Sequence, residues 1–227
     1  MRRPDLLKRL WQSERGLSAM LVFLVLAIFV VAPLVASEAA GSLWFDLSFA
    51  LLLLSGVVFV SRKWMHGAAT LVLVIATLAL RWAENASDSK VVSAASHVLS
   101  IASLAIFAWL VLIQVFREGP ITSQRIQGAV AVYLLLGVIW LVAYDLVYKM
   151  VPGAFRFADG ADETTHHLHD LAYYSFITLT TIGYGDIVPA HPAARSLAMA
   201  EGLLGQLYPA ILIARLVSMQ IESRRKS

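Results

Sequence analysis

The stretch "TLTTIGYGD", residues 178–186, interrupts a strongly apolar chain with threonines, two glycines, a tyrosine and an aspartate. A cation leaving water must exchange its hydration shell for oxygens of similar number and strength, and stacked rings of backbone carbonyls provide them. Thr181 offers a carbonyl and a hydroxyl, Ile182, Gly183 and Tyr184 offer carbonyls, and Gly185 permits the exit turn; Thr180 and Asp186 flank the set. The glycines allow backbone conformations that a Cβ opposes, so the carbonyls can point inward. One such strand cannot enclose an ion. The chain holds a single "GYGD", so identical copies must gather around one axis, and a cyclic homotetramer is expected.

The elements that would hold this stretch are apolar runs. Of 227 residues, 59% are hydrophobic and 15% charged, whereas a soluble domain is nearer half apolar and a quarter charged. Runs of membrane-spanning length make this an integral membrane protein, all-α in class. The net charge of +3 comes from Lys and Arg near both chain ends and in short loops, a pattern of membrane orientation and not of nucleic-acid binding. With no cysteine, disulfides, thiolate metal sites and thiol redox chemistry are excluded. Nothing in the pattern points to an enzyme or to a cofactor other than the cation itself.

Six spans are expected, over 17–37, 43–60, 64–82, 91–116, 126–150 and 193–221. Arg2, Arg3, Lys8, Arg9 and Arg15, then Arg62 and Lys63, then Arg117 and Arg125, then the closing "SRRKS" all fall on one side. That side is cytoplasmic by the positive-inside rule, so both termini are inside and the cell membrane is the expected location. The charged start can also be read as the head of a signal peptide with cleavage near Ala36, but the six-span topology keeps the segment. The expected organisation is a cytoplasmic segment at 1–16, a four-helix unit at 17–116, a linker at 117–125, a pore unit at 126–221 and a tail at 222–227. Within the outer segment 151–192, ten to twelve residues from about Leu168 can form only half a span, with Asp170 in the first turn favouring the N-terminal dipole. This half-helix should dip in from outside and return through the quoted stretch.

Half-helix, threonine–glycine stretch and following span, in that order, resemble the pore of the potassium channel family. The resemblance implies that Thr181, Ile182, Gly183, Tyr184 and Gly185 form a selectivity filter for K+. It places Tyr173 and Tyr174 where the family often carries two Trp, as an aromatic cuff with Tyr173 near Asp186 and Tyr174 near Tyr184. It makes Gly205 the hinge of the inner helix, with Pro209 one turn later as a kink. "GLLGQLYPAILIARL" is similar to the inner helix of small bacterial channels of this family, and the resemblance covers residues 126–221. A weakly selective cation channel typically replaces the filter tyrosine, and Tyr184 argues against that alternative. A transport or regulatory subunit usually carries repeated, degenerate copies, and the single intact copy argues against that one.

Four spans before a pore pair is the arrangement of voltage-gated channels, yet the fourth span lacks Arg and Lys and holds only His97. Moving one charge through 100 mV is worth about 2.3 kcal/mol, and steep gating needs several; voltage sensing is not expected. His97 reads as a hydrogen-bonded packing residue, and "SAAS" as close helix packing. His166, His167 and His169 read as a solvated turret, with pH sensing or zinc inhibition as rival readings. Asp159, Asp162, Glu163 and Asp170 read as raising local cation concentration, with a plain solvated acidic surface as the alternative. Glu201 is the single acid inside the sixth span. An intramembrane carboxylate is costly and faces a polar interior, so Glu201 is either a protonated, hydrogen-bonded strut to pore-helix hydroxyls such as Ser175 or Thr178, or a charge facing the cavity.

Overall fold

The computed structural model describes residues 17–31, 49–52, 64–87, 89–117, 121–158 and 168–225. In lipid a backbone must satisfy its own hydrogen bonds, so the apolar runs become helices. These are α1 (Leu17–Val31), which closes in a π-turn at Ala27–Val31, α2 (Trp64–Asn85) and α3 (Lys90–Val115). Then come α4 (Ser123–Met150), α5 (Leu168–Leu179) and α6 (Pro192–Arg225). Among the described residues, α3, α4 and the Pro192–Met219 part of α6 are long and apolar enough to cross a membrane. The 22-residue α2 occupies the expected third span, whereas the first two expected spans lie partly outside the described residues. The expected tail border at 222 is not a structural one, because α6 continues to Arg225.

The first helices are built onto α4. Leu17, Met20 and Leu24 of α1, Val74 of α2 and Leu104, Phe107 and Val111 of α3 bury one face together with Ala129, Val132, Leu135 and Val142 of α4. Small hydroxyls join the helices inside this apolar contact: Thr77 and Ser103 are buried and lie 2.8 Å apart. Such pairs let helices approach closely where lipid offers no hydrophobic drive.

The 12-residue α5 is about 18 Å long at 1.5 Å per residue, half a bilayer core. It packs against α4 and α6 around Leu141, Tyr144, Phe155, Leu171, Tyr174 and Ile187. The described residues are mostly helical, as expected, with one small addition. A short antiparallel ribbon pairs β1 (Phe155–Phe157) with β2 (Ile187–Pro189) in the register Phe155↔Pro189, Arg156↔Val188, Phe157↔Ile187. Ala158 N–H donates to the Asp186 carbonyl at 2.8 Å, and Ala190 N–H to the Ala154 carbonyl at 2.8 Å. The chain leaving α4 is thereby fastened to the chain leaving the re-entrant loop.

Candidate ion-conduction site

α5 ends at Leu179, and the residues after it return without regular structure. Their donors turn back: Thr181 N–H to Thr178 O (2.9 Å), and Ile182 and Gly183 N–H to Ile177 O (2.8 and 3.2 Å). The Thr180 hydroxyl donates to Phe176 O at 2.6 Å. Thr181, Gly183 and Gly185 take φ of 60°, 53° and 82°, while Ile182 and Tyr184 between them stay negative. Residues of alternating hand turn successive carbonyls toward one side, where a uniform strand would alternate them. Thr181 is the one non-glycine at positive φ among the described residues, a conformation that costs a β-branched residue about 1–2 kcal/mol. Among the described residues no donor takes the carbonyls of Thr181 to Tyr184, and Ile182 and Tyr184 are exposed on the chain. The stretch presents free acceptors on a backbone whose Thr181, Ile182 and Gly183 donors are already used.

Three tethers hold it. At the outer end, Tyr173 Oη donates to Asp186 Oδ2 at 2.8 Å. That bond pushes the Tyr173 phenol up to about 12, so it stays a donor at neutral pH. Tyr174, next on the same half-helix, faces inward. It is buried against Tyr144 and Phe155, edge-to-face at centroid distances of 4.9 and 5.4 Å. At the inner end, the Leu179 carbonyl accepts from Tyr133 Oη at 3.1 Å and abuts Gly205, where an added Cβ would lie 1.9 Å from that oxygen. Gly205 sits within a helix that runs unbroken through Pro209, so in this structure its smallness serves close approach. Tyr133 stacks on Tyr208, centroids 5.8 Å apart, and Tyr208 Oη donates to Ala129 O at 2.7 Å.

The third tether is Glu201. It is fully buried, with Ser175 Oγ 2.6 Å from Oε1 and Tyr144 Oη 2.5 Å from Oε2. Ser175 was within reach of sequence reasoning; Tyr144 was not, nor was Tyr133, because a tyrosine in an apolar helix reads as packing. His97 is the buried, hydrogen-bonded packing residue expected, and it sits in a polar cluster joining α2, α3 and α4. Its Nε2 lies 2.7 Å from Asp145 Oδ2 and its Nδ1 2.8 Å from the Ser93 carbonyl. Lys149 bridges Asp145 (3.1 Å) and Glu84 (3.0 Å). Comparing charges by depth across spans, and not span by span, would have exposed this group. His169, expected in the turret, lies in the first turn of α5, 3.1 Å from Asp170, while His166, His167, Asp159, Asp162 and Glu163 are outside the described residues.

A half-helix that enters, turns back through free carbonyls and is clasped by a full span on each side defines a membrane protein of the ion-channel class. A family described as "Ion channel" matches residues 130–222. Protein LctB of Geobacillus stearothermophilus is 44% identical over 127 residues, covering 49% of this chain and 94% of LctB. Two pore potassium channel c of Oryza sativa subsp. japonica is 37% identical over 90 residues, 40% of this chain and 18% of that protein. Two-pore potassium channel 1 of Arabidopsis thaliana is 29% identical over 112 residues, 49% and 28% of the two. The chain thus spans a minor part of these plant relatives, though nearly all of LctB. No solved structure matches it. The chain belongs to the potassium channel family.

Proposed function

We propose that the chain forms a homotetrameric, potassium-selective pore in the cell membrane, passing K+ passively with both termini in the cytoplasm. The observation that carries this is the backbone at 181–185, with φ of alternating sign, the Thr181, Ile182 and Gly183 donors spent on α5 and the Thr181 to Tyr184 carbonyls left free. Four such strands facing one axis would offer Thr181, Ile182, Gly183 and Tyr184 carbonyls as K+ ligands. The C-terminal end of α5 at Leu179 would add its partial negative charge below them. The apolar face of α6, with Leu203, Leu207, Ile211 and Val217 exposed on one chain, is available to neighbouring copies and lipid.

The test is purified protein in planar bilayers with potassium on one side and sodium on the other. The reversal potential should follow the potassium gradient, and cross-linking should stop at four chains. Equal passage of sodium would replace this reading with that of a weakly selective cation channel. A single-chain particle would replace it with that of a transport or regulatory subunit.

A further inference from the structure

Three polar contacts behind the re-entrant helix do not balance without an extra proton. Ser175 Oγ lies 2.9 Å from the Gly137 carbonyl and 2.6 Å from Glu201 Oε1, and Tyr144 Oη lies 2.5 Å from Glu201 Oε2. A carbonyl only accepts, so the single hydroxyl proton of Ser175 goes to Gly137. Ser175 must then accept from Glu201 Oε1, which requires a hydrogen there. Tyr144 donates to the remaining oxygen. One arrangement satisfies all three contacts, and in it Glu201 is a neutral carboxylic acid. Ser175, Tyr144 and Glu201 are all fully buried, where an orphaned contact costs most.

The surroundings agree. Tyr133 and Tyr144 face Glu201 from α4, and Tyr174 and Ser175 from α5. Among the described residues no Lys, Arg or His forms an ion pair with it. A carboxylate there would be a buried charge without a counter-charge, which proteins avoid.

We propose that Glu201 is a positioning residue that holds its proton in the conducting state. The proton closes a chain from α6 through Ser175 of α5 to Gly137 of α4, and its removal at alkaline pH releases α5 and stops conduction. The conduction half of this rests on the pore reading above; the location of the proton does not. Glu201→Gln is the informative variant, because its amide can donate to Ser175 and accept from Tyr144 without titrating.

Infrared spectra of the purified protein in liposomes, with and without carbon-13 glutamate, locate the proton directly. At neutral pH the wild type should show the carbonyl stretch of a buried carboxylic acid, shifted by the glutamate label and missing from Glu201→Gln. Alkaline titration should remove the band and lower potassium flux several-fold in parallel, while Glu201→Gln keeps its flux across the same range. A wild type without the band at neutral pH overturns the proposal, as does a Glu201→Gln channel with the same alkaline loss. If Glu201→Gln fails to assemble, the labelled wild-type spectrum alone decides. Were the band present in a protein that passes no potassium, the proton would stand and only the conduction reading would fall.

Discussion

Gly205 and the Leu179 carbonyl are in contact so close that a Cβ on Gly205 would sit 1.9 Å from the oxygen and 2.8 Å from the carbonyl carbon. Both partners are backbone, so neither can swing aside as a side chain would. α6 and the end of α5 are therefore locked at one spacing. Gly205→Ala should destabilise the chain by about 1–3 kcal/mol or more through forced displacement and should abolish conduction. Gly202, three residues earlier on the same helix, has nothing within 4 Å of an added Cβ in the chain. Gly202→Ala should gain about 1 kcal/mol of helix propensity and keep its function. Thermal unfolding and flux of the two variants check this, and equal behaviour would discount the contact.

At Gly183 and Gly185 the constraint is conformational and not spatial, since no atom lies within 4 Å of an added Cβ but φ is 53° and 82°. An L-alanine there costs about 1–2 kcal/mol each, repeated in every subunit. Conduction should be lost in Gly185→Ala while the tetramer persists. A D-alanine at 185, which prefers positive φ, should restore it. Loss with both enantiomers would mean that space is limiting after all.

Tyr173→Phe removes the donor to Asp186 Oδ2 while leaving the ring. Faster decline of current during sustained opening is expected, with unitary conductance unchanged. The phenol is raised to about 12, chiefly by the bond to Asp186. The bond is thus fully present below the ordinary tyrosine value of about 10 and weakens as pH rises through about 12. Wild-type and Tyr173→Phe currents should converge only at that alkaline end.

The cluster of His97, Asp145, Lys149 and Glu84 fastens α3 to α2 and α4. His97 is 1% exposed, and its ring nitrogens face a carboxylate and a carbonyl. Removing the buried His97 ring leaves its contacts to the Asp145 carboxylate and the Ser93 carbonyl unmade, at a cost of about 1–3 kcal/mol. His97→Leu should lower thermal stability accordingly, and His97→Leu with Asp145→Asn should cost less than the two changes added. With Lys90 at the start of α3 and no Lys or Arg further along it, open probability should vary weakly with voltage in wild type and variants alike. Steep voltage activation would show that the cluster moves instead of anchoring.

The re-entrant helix over Leu168–Leu179, the turn through 180–186 and the long helix after it were legible in the sequence. Local chemistry decides each of them: a half-length apolar run, paired glycines and a full-length apolar run. Glu201 stood out for the same local reason, a carboxylate in an apolar helix. What tertiary structure alone decided are the partners. Tyr133, Tyr144 and Gly137 carry no signal along the chain, because a tyrosine or glycine in an apolar helix fits ordinary packing, and only the α4–α5–α6 arrangement brings them to Leu179, Glu201 and Ser175. Gly205 was visible as a residue but not in its role here, since closeness to a carbonyl 26 positions away is set by helix docking and not by neighbours in sequence. The β1–β2 ribbon was missed because three-residue strands have no periodicity to read; pairing across the loop, not propensity, creates them.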